Sequence, residues 1–266
     1  MLAVVLLNPR ALMAHELELT WATSRFEARR NASGRLEAPE RRMSSPVMTW
    51  IADAVSDNFS ARLETEVTST SMSCSRLNFF SALGDDSAAG VWAKAINSPN
   101  EAPATLVLND KGKKSAASVV SDRLNRGEQV LAVDLVFTGD AAPGQDDFEE
   151  FPLMLATTGD RALGMEAAQL IGLAQWMKKS FGSRKIQVES TGIRNQVAAL
   201  IAADMEPTLF SEVAIHEGMP SLQYLLDAPV KFESAPDLFC LDLYKEFDID
   251  RLAVLAEPAK VTQRYQ

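Results

Sequence analysis

Short apolar stretches alternate with segments of helical periodicity over most of the chain. The stretches that predict β-strands are 90–96, 104–110, 129–137, 212–216 and 259–262, and the periodic segments that predict helices are 115–126, 165–181, 221–226 and 250–255. Strands that are almost continuously apolar and alternate with helices are typical of a parallel sheet covered on both faces. We therefore predict an α/β fold, a three-layer α/β/α sandwich with a mainly parallel sheet.

The first part of the chain lacks this alternation. Residues 1–45 carry several arginines with glutamates between them and no stable period, which predicts a flexible leader. Residues 46–76 are interpreted as an amphipathic helix over 48–63 and a polar linker over 68–75, so that the compact domain begins at 77. The apolar run at 1–7 is short and lacks a positive n-region, so no secretory signal peptide is expected.

The segment 185–203 predicts a strand that passes through a tight turn into an alanine-rich helix. This is the local shape of the nucleophile elbow in α/β-hydrolases. Counting back from the buried alanine expected at Ala198 and from Pro207, the nucleophile position falls on Gly192. Glycine has no side chain that can attack a carbonyl carbon, and Arg194 stands where a glycine is usual. The pattern therefore favours the scaffold of a hydrolase over its chemistry.

A second register keeps a nucleophile at Ser190. It gives Val-Glu-Ser-Thr-Gly over 188–192, which matches G-x-S-x-G except for its first residue. In that register Gln196 occupies the position of the buried alanine, and the β-branched Val188 crowds the turn. The alternative interpretation of Ser190 is a serine at the strand end that satisfies backbone groups at the helix start.

From Ala104 onwards the chain resembles the α/β-hydrolase superfamily, and most closely bacterial acetyl xylan esterase-like proteins. The resemblance lies in 125–134, in the elbow-shaped segment 190–203 and in 248–258, and it covers about 77–262. It implies a serine at the elbow, then an acid and a histidine further along the chain, with backbone donors for the oxyanion. It also implies that residues 77–266 form a hydrolase-like domain without its C-terminal end, and that Asp134 has a structural role.

Few residues are left for the other catalytic roles. His216 and Glu217 form a possible base and orienting acid at the end of a strand, although a histidine packed against a loop is the favoured interpretation. Asp110, Lys111 and Gly112 lie where the resembled family places its oxyanion donors, and the alternative there is a solvated turn. The acidic loop after the long strand (Asp140, Asp146, Asp147, Glu149, Glu150) lacks metal-loop spacing and predicts a solvated surface.

Net charge and composition reduce the number of function classes that fit this sequence. A net charge of −10 disfavours nucleic-acid binding, and no apolar run is long enough to span a membrane. Cys74 and Cys240 are expected to be free thiols, with Cys240 buried, and no spacing predicts a metal site or a cofactor. We expect a catalytically degenerate relative of carbohydrate esterases with a structural or ligand-binding role. A carbohydrate ester is its expected ligand and a companion catalytic hydrolase domain its expected partner, and the alternative is an active esterase that uses Ser190.

Overall fold

A computed structural model of the protein describes residues 60–68, 72–80, 87–99, 101–143, 150–182 and 186–265. Their central feature is an eight-stranded sheet in the order β1-β2-β3-β5-β4-β6-β7-β8. The strands are β1 (Ser60–Thr68), β2 (Met72–Phe80), β3 (Ser87–Ala95), β4 (Ala104–Asn109), β5 (Gln129–Asp134), β6 (Ile186–Thr191), β7 (Phe210–Gly218) and β8 (Lys260–Tyr265).

The five strands from β4 to β8 run parallel to one another, whereas β1, β2 and β3 extend the sheet by antiparallel pairing. Every residue of β4 and of β5 is buried, as expected for strands covered on both faces. Helices lie on both sides of the sheet, so the predicted α/β fold class is confirmed.

Seven α-helices are described: α1 (Ala117–Asn125), α2 (Glu150–Thr157), α3 (Ala162–Phe181), α4 (Ile193–Met205), α5 (Tyr224–Asp227), α6 (Leu241–Tyr244) and α7 (Ile249–Leu255). Helix α1 packs through Val119, Val120 and Leu124 on a cluster that includes Val107 and Val130. Helix α4, which is almost wholly buried, contacts α3, α7 and the strands β6 and β7. Within the described residues, no helix has the length and apolar character required to cross a membrane.

The antiparallel part of the sheet differs from the prediction. The expected helix over 48–63 overlaps β1 from Ser60 onwards, and its earlier residues lie outside the described part of the chain. The expected linker over 68–75 overlaps β2 from Met72, so the sheet begins well before residue 77. The hairpin pairs Ser60 with Phe80 and Thr68 with Ser73. This pairing overrides local helical spacing, because strand preference is set largely by neighbouring strands.

Candidate functional site

The turn between β6 and α4 forms the predicted elbow, with Gly192 at its apex. Gly192 has φ 105° and ψ 172° and stands immediately before the first helical residue. This backbone conformation is strained for any residue with a Cβ atom. The Gly192 N–H donates to the carbonyl oxygen of His216 at 2.9 Å, which ties the turn to β7. The sharp turn is therefore centred on Gly192, two residues beyond Ser190.

The Asp110 carboxylate occupies the space over this turn. It accepts hydrogen bonds from the backbone N–H of Arg194 at 2.9 Å and of Asn195 at 3.0 Å, and from Asn195 Nδ2 at 2.9 Å. Asp110 therefore caps α4, where the helix dipole favours negative charge. A Cβ atom on Gly192 would lie 2.2 Å from Asp110 Oδ2. Any side chain at position 192 would collide with the capping carboxylate.

Asp110 is held away from water by the same arrangement. Burial raises the pKa of Asp110, whereas the hydrogen bonds from Asn195 and Arg194 act in the opposite direction. The carboxylate is fixed by three donors at the helix start, directly over the apex of the turn.

The predicted oxyanion loop uses its backbone donors internally. The N–H of Lys111 donates to Asn109 Oδ1 at 2.9 Å, and the N–H of Gly112 donates to Asn109 O at 2.8 Å. The next N–H, from Lys113, donates to Asp134 Oδ1 at 2.6 Å. The backbone N–H groups of this loop therefore donate to acceptors within the protein, at Lys111, Gly112 and Lys113 alike. Nor is Asp110 part of a solvated turn, since its carboxylate is bound to α4.

Asp134, at the end of β5, organises this loop. Besides the Lys113 N–H, it accepts hydrogen bonds from Lys113 Nζ at 2.6 Å and from the N–H of Asp140 at 2.8 Å. Asp140 also pairs with Lys113 and Lys114, and these two lysines lower the pKa of Asp140 to about 2. Asp134 is buried and fully engaged, which supports the structural role implied by the resemblance. From the acidic loop, Asp146, Asp147 and Glu149 lie outside the described residues.

Arg194, at the position where a glycine was expected, is buried in an ion pair. Its guanidinium contacts Asp237 through Nε at 2.9 Å and through Nη2 at 2.8 Å, and Nη2 also donates to Phe137 O at 3.0 Å. The Asp237 side chain has no exposed surface. Phe137 has a positive φ of 71°, a conformation that is uncommon outside glycine and places its carbonyl group against Arg194.

Glu166 of α3 adds a second carboxyl group to this ion pair. It is buried, and its Oε2 has no hydrogen-bond partner within the described part of the molecule. Burial, followed by the charge of Asp237, raises the pKa of Glu166 well above its usual range. Both effects favour the protonated form of the Glu166 carboxyl beside the pair of Arg194 and Asp237.

Ser190 lies inside the sheet. It is completely buried, and its Oγ has no partner among the residues described. The helix start is capped by Asp110, so Ser190 does not have the capping role considered from the sequence. Ser190 is paired with Ile215, whereas Thr191 is paired with His216. Since successive side chains point to opposite faces, Ser190 and His216 lie on opposite faces of the sheet and form no catalytic pair.

His216 belongs to a different network. Its Nε2 lies 2.9 Å from Glu189 Oε1, and Glu189 is held by Arg123 Nε at 2.5 Å. Arg123 in turn contacts Glu128 and Gln187. The pairing of His216 with Glu217 that was considered from the sequence does not form, because Glu217 is exposed with φ 53° and the His216 imidazole contacts Glu189 instead.

Sequence reasoning missed Glu166, Glu189 and Asp237 as members of these networks. Glu166 and Glu189 are charged residues inside a predicted helix and a predicted strand, and that is the one signal that singles them out. The described residues contain no group of three or more His, Cys, Asp or Glu side chains placed to hold a metal ion. Cys74 and Cys240 form no disulfide within the described part of the chain, and Cys240 is half-buried rather than fully buried as expected.

Comparisons with known proteins bear on the fold. No family model matches the chain, and no curated protein matches it in sequence. In structure it is similar to a putative acetyl xylan esterase from Bacteroides fragilis, with TM-score 0.63 and 13% identity over 82% of this chain and 66% of that one. It is also similar to the glucuronoyl esterase from Solibacter usitatus, with TM-score 0.59 and 14% identity over 87% of this chain and 76% of that one. For the acetyl xylan esterase from Paenibacillus sp. R4 the TM-score is 0.56 and the identity 11%, over 85% of this chain and 80% of that one.

These similarities confirm the predicted resemblance at the level of the fold. The chain spans just under two thirds of the Bacteroides fragilis protein and larger shares of the other two. The sheet order, the elbow between β6 and α4, and these structural neighbours together establish that the protein has the α/β-hydrolase fold.

Proposed function

We propose that this chain is a catalytically silent relative of the carbohydrate esterases, which keeps their fold for a structural or ligand-binding role. The observation that carries the proposal is the Asp110 carboxylate bound at the start of α4, directly over Gly192. An active hydrolase needs a nucleophile at this turn and free N–H donors beside it. Here the nucleophile position has no side chain, and a carboxylate of the chain itself lies directly over the turn.

Charge makes the arrangement unsuitable for ester hydrolysis. Acyl transfer develops an oxyanion that must be stabilised by donors about 2.7–3.1 Å away. The N–H groups of Arg194 and Asn195, two and three residues beyond Gly192, hold the Asp110 carboxylate in place, so a fixed negative charge lies beside the turn at which an oxyanion would develop. A like charge beside the developing oxyanion would raise the barrier instead of lowering it.

The alternative, an esterase that uses Ser190, lacks support from the geometry. Ser190 is buried within β6, and its side chain faces away from His216. A nucleophilic serine requires a base within hydrogen-bond reach. We therefore favour the silent domain over the active esterase.

Intact-mass measurement with a fluorophosphonate probe tests this proposal. The purified chain should gain no adduct, and neither should Ser190→Ala, while an active serine esterase in the same buffer is labelled fully. Denatured protein serves as the control for nonspecific modification. A single adduct on the folded chain that disappears in Ser190→Ala would refute the proposal and make Ser190 an activated serine.

A ligand-binding role extends the proposal. The names of the structural neighbours suggest acetylated xylan fragments and glucuronoyl esters as ligands for a domain of this fold, and a catalytic hydrolase as its companion. Titration calorimetry with an acetylated xylo-oligosaccharide, paired with a chromatographic check for released acetate, separates the possibilities. Heat of binding without release of acetate supports a ligand-binding domain. If neither heat of binding nor released acetate is detected, a structural role is supported.

A further inference from the structure

The outer side of β8 is an open edge of the sheet. Within the described residues β8 pairs with β7 on one side, and no strand lies on its other side. An edge strand presents unpaired N–H and C=O groups in a row, which can pair with an extended segment of another chain. The backbone of 260–265 therefore offers main-chain hydrogen bonds to a partner.

A cleft runs beside this edge. It has a volume of about 740 Å³ and lies between the end of α7 and the strand, and its lining includes Val254, Glu257, Pro258, Lys260, Val261 and Gln263. Val254 is 64% exposed, although it is an aliphatic residue on a helix. A helix next to an open strand edge is the arrangement in which peptides bind by strand addition, with the backbone giving affinity and the cleft receiving alternate side chains.

The two faces of β8 differ in character. Side chains of a strand alternate, so Lys260, Thr262 and Arg264 share one face while Val261 and Gln263 share the other, and Lys260 also borders the cleft. The first group is exposed and the second is half-buried. Lys260 pairs with Glu212 at 3.2 Å, which leaves Arg264 as the exposed cation of this strand that has no salt bridge to a described residue. Glu212 offsets the charge of Lys260, so the positive charge of this face is concentrated at Arg264.

From this geometry we propose that the edge of β8 binds an extended segment of another protein in which apolar residues alternate with acidic ones. The apolar side chains enter the cleft beside Val254 and Val261, and the acidic side chains lie along the face of Lys260 and Arg264. Main-chain hydrogen bonds to 260–265 continue the sheet by one strand. Charge complementarity is the reason for choosing an acidic partner.

A second copy of this chain fits the edge less well. Two β8 strands paired antiparallel around Thr262 would place Lys260 of each copy directly opposite Arg264 of the other. Like charges directly opposite each other across a pair of strands are destabilising. An acidic segment removes this repulsion and turns both cations into favourable cross-strand partners.

Fluorescence anisotropy with the full chain tests the proposal. The probe is a labelled octapeptide of alternating valine and glutamate, and an octapeptide of alternating valine and lysine is the charge control. Val254→Asp and Arg264→Glu should each weaken binding at least about tenfold. Leu226→Asp, the same type of change at an apolar residue that is 74% exposed on α5, should leave binding unchanged. Lys179→Glu on α3 is the matched control for Arg264→Glu.

Hydrogen exchange identifies the surface. With the acidic peptide bound, the amides of 260–265 should exchange more slowly, and this protection should be lost in Val254→Asp. Equal binding of the acidic and basic peptides, or no protection at 260–265, would overturn the proposal. Self-association in sedimentation that Val254→Asp abolishes would overturn it too, since the occupant would then be a second copy. Melting temperatures of the variants close to that of the parent ensure that a loss of binding reports on the surface.

Discussion

Loss of the Arg194 guanidinium should destabilise the protein strongly. Arg194→Ala removes the contacts with both oxygens of Asp237 and the hydrogen bond to Phe137 O. Asp237, which has no exposed side-chain surface, would remain as an unpaired buried charge beside Glu166. Breaking a buried pair by removing one partner costs about 3–5 kcal/mol. For a domain of this size the melting temperature should therefore fall by about 6–20 °C.

The assay is urea unfolding at 25 °C followed by circular dichroism, with thermal melts alongside. Arg126→Ala provides the matched control, because Arg126 is exposed at the end of α1 and has no salt bridge among those found in the described residues. Its free energy of unfolding should change by less than about 0.5 kcal/mol. Since total stability is typically about 5–15 kcal/mol, Arg194→Ala should retain enough structure for measurement in most of this range.

The double variant Arg194→Ala/Asp237→Ala distinguishes a charge effect from a packing effect. When both charges are removed, no buried carboxylate is left alone, so the double variant should be at least as stable as Arg194→Ala. Two results would contradict this inference about the buried ion pair. One is a further large loss in the free energy of unfolding when Asp237→Ala is added, and the other is a melting temperature of Arg194→Ala equal to that of the parent protein.

Two further predictions concern the same region. Gly192→Ala should lose about 2–5 kcal/mol through backbone strain and displacement of the Asp110 cap, and Asp110→Gly should recover part of this loss in urea unfolding. Glu166 has a folded-state pKa above its ordinary 4.5, so the stability it contributes is fully present below that pH and is lost as the pH rises through the folded pKa. Melting temperatures from pH 5 to 9 should therefore fall less for Glu166→Gln than for the parent or for Glu246→Gln, and parallel curves would exclude a raised pKa.

The parallel part of the fold could be predicted from the sequence because its strands are buried on both faces. Continuous apolar runs such as 104–109 and 129–134 carry their own signal, and the helices between them follow from period and length. The β1–β2 hairpin was not accessible, since its identity depends on pairing with the rest of the sheet. Local pattern predicts what a segment buries and does not predict what it pairs with.

The candidate site also combines features that the local sequence predicts with features that it does not predict. The absence of a nucleophile at Gly192 follows from local spacing, and the structure places the turn at that residue. The Asp110 cap joins residues 84 positions apart, and the pair of Arg194 with Asp237 spans 43. Contacts of this range depend on the order of strands in the sheet, which no segment encodes alone. The sequence therefore predicted a glycine at the apex of the turn but did not reveal the carboxylate that lies over it.

Asp110, Gly192 and Arg194 depend on one another, and this dependence is the strongest argument for a silent site. A serine at position 192 would bring its Cβ to within 2.2 Å of Asp110 Oδ2, so a nucleophile cannot be restored while the cap remains. Removing the cap leaves the N–H groups of Arg194 and Asn195 without their acceptor, and the Arg194 side chain still joins Asp237 to Phe137. We therefore propose that ester chemistry at this turn would require changes at all three positions, because the interactions that keep a side chain away from position 192 also join the end of β4 to α4.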